Sequence, residues 1–271
     1  MIRFLILAGY FELTMYLQLS GKLNQYINLH YSYLAYISMF LSFVLALVQL
    51  IIWVKQMKIH SHLSGFWAKV ASIFLLCIPL FVGLFFPTVT LDSQTVSAKG
   101  YHFPIAAGSS KEIQQDEGTT TQYLKPDTSS YFTKSAYESE MKQAAKKYVD
   151  KKVIQVTTEN YMEVMEVIYD YPDQFAGKTI ELTGFVYNDP NNKDSQFLFR
   201  FGIIHCIADS GVYGLLTTGA PQHFENNTWI HAKGTLSIEY HKQLKQSLPV
   251  LHISDCQTIT KPDNPYVYRV F

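Results

Sequence analysis

The sequence predicts a membrane α-helical region of about three spanning helices, followed by a mainly β, α+β soluble domain built as an OB-like five-stranded barrel. Three observations predict it. Charge is split unevenly: residues 1–91 carry only Arg3, Glu12, Lys22, Lys55, Lys58 and Lys69, and nearly all the acids lie beyond them. That first third contains three apolar runs of spanning length. After Gly177 the apolar spacing changes to the period of two that a strand requires. The resulting division is 1–91 as transmembrane region, 92–155 as a linker with a possible helix, and 156–271 as the extracytoplasmic β domain.

The first run, Ile2–Leu19, stops at Ser20-Gly21-Lys22. It lacks a small-x-small cleavage site and is interrupted by Glu12, so it reads as a retained helix rather than a signal peptide. The second run covers 33–54 and ends at Lys55; the third covers 67–86 and ends at Pro87. Tyr26, Tyr31, Tyr33, Trp53, Phe66 and Trp67 flank the runs where an interfacial aromatic belt belongs. Loop 55–69 holds Lys55, Lys58, Lys69, His60 and His62, against Lys22 alone in loop 20–32. Positive charge marks the cytoplasmic side, so the N-terminus is expected inside and everything after Pro87 outside the cell membrane.

Glu12 is the one acid within an expected span. An ionisable group there faces a partner, a watery cavity or an interface, so Glu12 is the candidate partner or transport residue. Thr14 and Gln18 read as extending a polar stripe beside it. Gln49 reads as a helix–helix hydrogen bond and Pro79 as a kink.

Ser, Thr, Gln, Lys and Gly dominate 92–150, a composition that buries little apolar surface and suits a spacer. Within it, 135–149 is rich in Ala, Lys and Glu and suits a polar helix. Asn160 with Glu163 then reads as a capping box. Tyr161, Val164, Met165 and Ile168 recur at helical spacing as a core face, and Asp170-Tyr171-Pro172 ends the helix. Five β runs follow, at 179–187, 197–208, 212–218, 228–239 and 250–258. Gly184 and Gly234, inside strands, suit bulges or barrel corners.

The chemistry in the soluble part is sparse. No phosphate loop, nucleophile elbow, HExxH or CxxC is present, so an enzyme is not expected. Net charge zero and a pI near 7 argue against nucleic acid. Cys206 and Cys256 are open to three readings: one disulfide, two separate thiols, or metal ligation together with His205 and His252. His205 and Cys206 point to opposite faces of a strand. His252 and Cys256 share a face of a regular strand but lie roughly 13 Å apart. No cofactor is therefore expected beyond that metal. His60 and His62 are weaker metal candidates still.

Several segments resemble a family. They are Arg3-Phe4-Leu5-Ile6-Leu7, Ser20-Gly21-Lys22 with Tyr26-Ile27-Asn28, and Gly184-Phe185-Val186-Tyr187-Asn188-Asp189-Pro190. With Phe201 through Asp209, Trp229 through Thr235, and the tail Lys261 through Tyr268, they make the chain similar to YcgQ-like proteins. These are bacterial membrane proteins, mainly Gram-positive, described as candidate subunits of a two-component permease. The family often carries two adjacent cysteines where this chain has His205-Cys206, so no role of a vicinal pair transfers. The resemblance implies a polytopic permease subunit as partner, with this chain as the accessory subunit. The alternatives are an extracytoplasmic scaffold or sensor module, or a metal-binding membrane protein.

Overall fold

The computed structural model describes residues 1–57, 65–86, 89–100, 134–190, 196–241 and 246–270. Lys58, His60, His62, Pro87 and most of the expected linker lie outside the described residues. The chain forms two compact units, Met1–Thr90 and Leu91–Phe271.

In the first unit, α1 (Ile2–Leu19), α2 (Ser32–Val54) and α3 (Phe66–Phe85) coincide with the expected spans to within a residue or two. All three are long and apolar enough to cross a membrane. Two short 3-10 turns, Lys22–Gln25 and Leu29–Tyr31, reverse the chain between α1 and α2. The Asn28 side chain caps the second turn by accepting from the His30 amide at 3.1 Å. Helix α1 packs on both other helices. Phe11 meets Phe43 of α2 with ring centroids 5.2 Å apart. Towards α3 the fit depends on missing side chains. A Cβ at Gly9 would meet Leu80 at 3.0 Å, and one at Gly83 would meet Leu13 at 2.9 Å. Small residues that let helices approach closely are the usual device where lipid removes any hydrophobic drive between helices.

The second unit begins with α4 (Ser93–Lys99), which the Asp92 side chain caps through a capping box with Thr95. Next come α5 (Lys134–Val149), strand β1 (Val153–Gln155), α6 (Tyr161–Asp170) and a single turn, α7 (Pro172–Phe175). Helix α5 is not polar all round: Met141, Ala144, Ala145 and Tyr148 are buried, spaced three and four apart, and α5 packs on α6. Helix α6 buries Tyr161, Val164, Met165 and Ile168, the stripe expected of it. Its expected capping box does not form. Asn160 instead accepts from the Thr157 amide at 2.7 Å, and Glu163 takes the Tyr148 hydroxyl at 2.6 Å and Lys147 at 2.7 Å.

The β runs form β2 (Thr179–Asn188), β3 (Gln196–Ile203), β4 (Gly211–Thr218), β5 (Trp229–His241) and β6 (Gln246–Thr258). The expected strand over 197–208 stops at Ile203, and a 3-10 turn at Ile207–Asp209 leads into β4. The short strand β7 (Tyr266–Tyr268) lies parallel to β3, and β1 lies parallel to β2. The pairings return on themselves: β2 with β3, β3 with β4, β4 with β6, β6 with β5, and β5 with β2. Only β4–β6 is parallel within this cycle. Phe197, Phe199, Leu182, Leu215 and Leu251 are buried in the core that the strands and α6 share.

Two glycines allow this pairing. A Cβ at Gly184 would lie 2.7 Å from the Phe199 carbonyl, and one at Gly234 would lie 2.2 Å from the His252 carbonyl. Gly234 also sits at a register shift between β5 and β6, where the expected bulge is found.

Candidate functional site

Glu12 lies in the middle of α1. An 18-residue helix is about 27 Å long, which puts Glu12 about 2 Å from its midpoint. Its side chain is exposed, on a stripe with Leu5, Tyr16 and Leu19 that neither α2 nor α3 covers. Thr14 and Gln18 do not continue that stripe. At about 100° per residue they lie well over 90° around the helix from Glu12. Thr14 donates back to the Tyr10 carbonyl at 2.8 Å. Gln18 Nε2 is buried, with no hydrogen-bond partner among the described residues. The Tyr10 hydroxyl donates across to the Leu76 carbonyl of α3 at 2.9 Å. Tyr10 and Thr14 thus bond within the unit, while the Glu12 carboxylate faces outward with Tyr16.

In the second unit the thiols stay apart. Cys206 and Cys256 are free, and among the described residues no group of three or more His, Cys, Asp or Glu is placed to hold a metal. Asp209 organises the turn after β3. It accepts from the Cys206 amide at 2.9 Å, and its Oδ2 lies 2.6 Å from His205 Nδ1. His252 stands on β6 with Nδ1 2.8 Å from Thr218 Oγ1 and Nε2 2.6 Å from Glu239 Oε1. Its strand is not regular. Thr235 pairs with His252 and Ala232 with Cys256, so one extra residue of β6 is accommodated between them. That bulge reverses the alternation: exposed His252 sits beside exposed Thr235, while half-buried Cys256 sits beside buried Ala232. Burial and then Asp255 push the Cys256 thiol up, away from a ready thiolate.

Residues 2–102 match the family described as the DUF1980 N-terminal domain, and residues 131–269 match the DUF1980 C-terminal domain. The chain belongs to the DUF1980 family. It is 68% identical over all 271 residues, and over the whole of the relative, to a Streptococcus mutans protein named "Putative two-component membrane permease complex subunit". It is 40% identical, with both chains covered end to end, to UPF0703 protein YcgQ of Bacillus subtilis.

Two arrangements in this DUF1980 protein escaped sequence reasoning. Arg200 is buried on β3, where desolvation holds its guanidinium below the usual arginine range. It donates to the carbonyls of Asn264, Pro265 and Tyr266 at 3.1–3.2 Å and to Thr158 Oγ1 at 3.0 Å. It also lies 5.7 Å from the Tyr161 ring centroid and 5.8 Å from that of Trp229. The cation therefore ties the C-terminal tail to the sheet. One signal was available: a lone arginine within an otherwise apolar β run. The second arrangement is His231, with Nδ1 2.9 Å from Thr183 Oγ1 and Nε2 3.0 Å from Glu181 Oε1. It arises only because β2 and β5 pair in the register that sets Thr183 opposite His231.

Proposed function

We propose that this chain is the accessory subunit of a two-component membrane permease, with its β-rich unit outside the cell membrane. The observation that carries the reading is the 68% identity over the full length of a relative whose name describes such a subunit. Chemistry on α1 supports it. A charge near the bilayer centre costs about 3 kcal/mol even on insertion scales, unless a partner or water meets it. Glu12 is exposed at that depth. The partner is a polytopic subunit that supplies the transport path and lays a helix along Leu5, Glu12, Tyr16 and Leu19. The orientation rests on the lysines of loop 55–69, which favour the cytoplasm and send α3 outward.

In this reading the β-rich unit is an OB-like barrel that captures, gates or organises. The support is the cyclic pairing β2–β3–β4–β6–β5 with a parallel β4–β6 closure, an order that suits a five-stranded Greek-key barrel. Its role is assembly and not catalysis, and it needs no cofactor or nucleic acid.

Affinity purification of the full chain from membranes in mild detergent tests the reading. A polytopic membrane protein recovered in constant ratio supports it, whereas recovery of this chain alone, or only as copies of itself, overturns it. Glu12→Gln should lower partner recovery several-fold, which quantitative mass spectrometry reads directly. Labelling a cysteine introduced between 92 and 130 from outside intact cells tests the orientation.

A further inference from the structure

We propose that the end of α5 and the turn into β1 form a basic surface that docks on anionic phospholipid headgroups. Between positions 142 and 152 the chain has five lysines, Lys142, Lys146, Lys147, Lys151 and Lys152, against one acid, Asp150. All five are exposed. A sixth joins them from the loop before β2: Lys178 Nζ donates to the Val149 carbonyl and to the Lys151 carbonyl, the latter at 3.0 Å. The whole chain carries no net charge, so this concentration is local.

Two of the lysines have other uses. Lys146 and Lys147 lie in the last turn of α5, where cations complement the helix dipole. Lys147 is also 2.7 Å from Glu163 on α6. Lys151 and Lys152 lie beyond the helix, and among the described residues no acid is paired with them. Lys151 rests 5.1 Å from the Tyr148 ring centroid, which directs its charge along the surface. Beside them Val153 is 44% exposed on β1, which among the described residues pairs with β2 alone. Several lysines around an exposed apolar side chain fit a headgroup layer, where each cation gains from the negative surface potential.

The covalent path brings the unit within reach of lipid. Four residues, 87–90, join the cap of α3 at Phe86 to Leu91. The Leu91 amide is already bonded to the Tyr266 hydroxyl, at 3.0 Å. A unit so closely tethered to a spanning helix meets bilayer headgroups at high effective concentration.

The test uses the full chain in lipid nanodiscs, with lysine acylation rates read by mass spectrometry. One set of discs is zwitterionic, and the other has a third of its lipid replaced by phosphatidylglycerol. In anionic discs Lys142, Lys146, Lys151 and Lys152 should react about threefold more slowly, and Lys261 should be unchanged. At about 0.5 M salt the difference should vanish, because the Debye length falls below the size of the patch. Equal rates in both discs at the four lysines overturn the proposal. So does equal slowing at Lys261, and so does protection by free inorganic phosphate in zwitterionic discs. The result is independent of whether a permease partner exists.

Discussion

Helix α3 and strand β3 are both rich in phenylalanine, yet they treat it in opposite ways. Among the described residues α3 contributes no buried side chain, and Phe74 is 65% exposed. Strand β3 buries every residue, with Phe199 at 1%. The same side chain is therefore packed by protein in one unit and left for another apolar medium in the other. A helix whose apolar side chains are exposed all round is stable where the solvent is itself apolar. Two solvents act on one chain, and each residue's cost of removal depends on which solvent it meets.

The contrast sets the largest predicted effect. Phe199→Ala should destabilise the second unit by about 3–5 kcal/mol, through lost burial and a residual cavity. Phe74→Ala, in detergent, should cost well under about 1 kcal/mol. Denaturant unfolding of both variants decides; equal losses would erase the distinction between the units.

Arg200→Met should come next, at roughly 2–4 kcal/mol. It strips the arginine donors from the Asn264, Pro265 and Tyr266 carbonyls. Limited trypsin digestion should cut after Arg269 in the variant well before the wild type. An unchanged cleavage pattern would mean that β7 pairing alone holds the tail.

Alkali sharpens the comparison further. Tyr268 is pushed up to about 12, chiefly by burial, from an ordinary value near 10. The folded state thus favours the neutral phenol, and its contribution to stability is whole below pH 10. It is lost as pH rises from 10 through 12. Tyr137, Tyr148 and Tyr213 are raised in the same direction, burial first. Melting of the second unit across pH 9–12 should therefore fall steeply in that window, with tyrosinate absorbance rising together with unfolding. Tyrosinate forming at pH 10 without loss of structure would contradict the burial.

The smallest effect is expected at the thiols. Cys206→Ser and Cys256→Ser, alone or together, should shift stability by no more than about 1 kcal/mol. The melting temperature should be the same with and without reductant, since both thiols are free. A reductant-dependent drop of several degrees would show a bridge that the folded chain does not have here.

How much of this was legible differs by solvent as well. The three spans were readable to within a residue or two because bilayer thickness sets helix length directly. The five long strands were readable from their alternation, while β1 and β7, with three residues each, are too short to show a period. Glu12 was visible as an acid in a span, but its outward direction was not. Thr14 and Gln18, near in sequence, lie on other faces of α1: Thr14 bonds back to Tyr10, and the Gln18 amide is buried. The face shared by His252 and Cys256 was a fair expectation for a regular strand, and one extra residue in β6 undid it.

The amino-acid sequence by itself determined where the chain meets lipid and where it meets water, because hydropathy and charge are properties of each residue alone. It also determined which stretches alternate and which wind. Tertiary structure decided everything that depends on register and closure: the cycle of β2 to β6, the tail held by Arg200, the reversal at Gly234 and the separation of the two thiols. Those outcomes depend on pairs of residues far apart in the chain. A side chain's partner there is set by the twist and bulging of the sheet, and no local pattern encodes that.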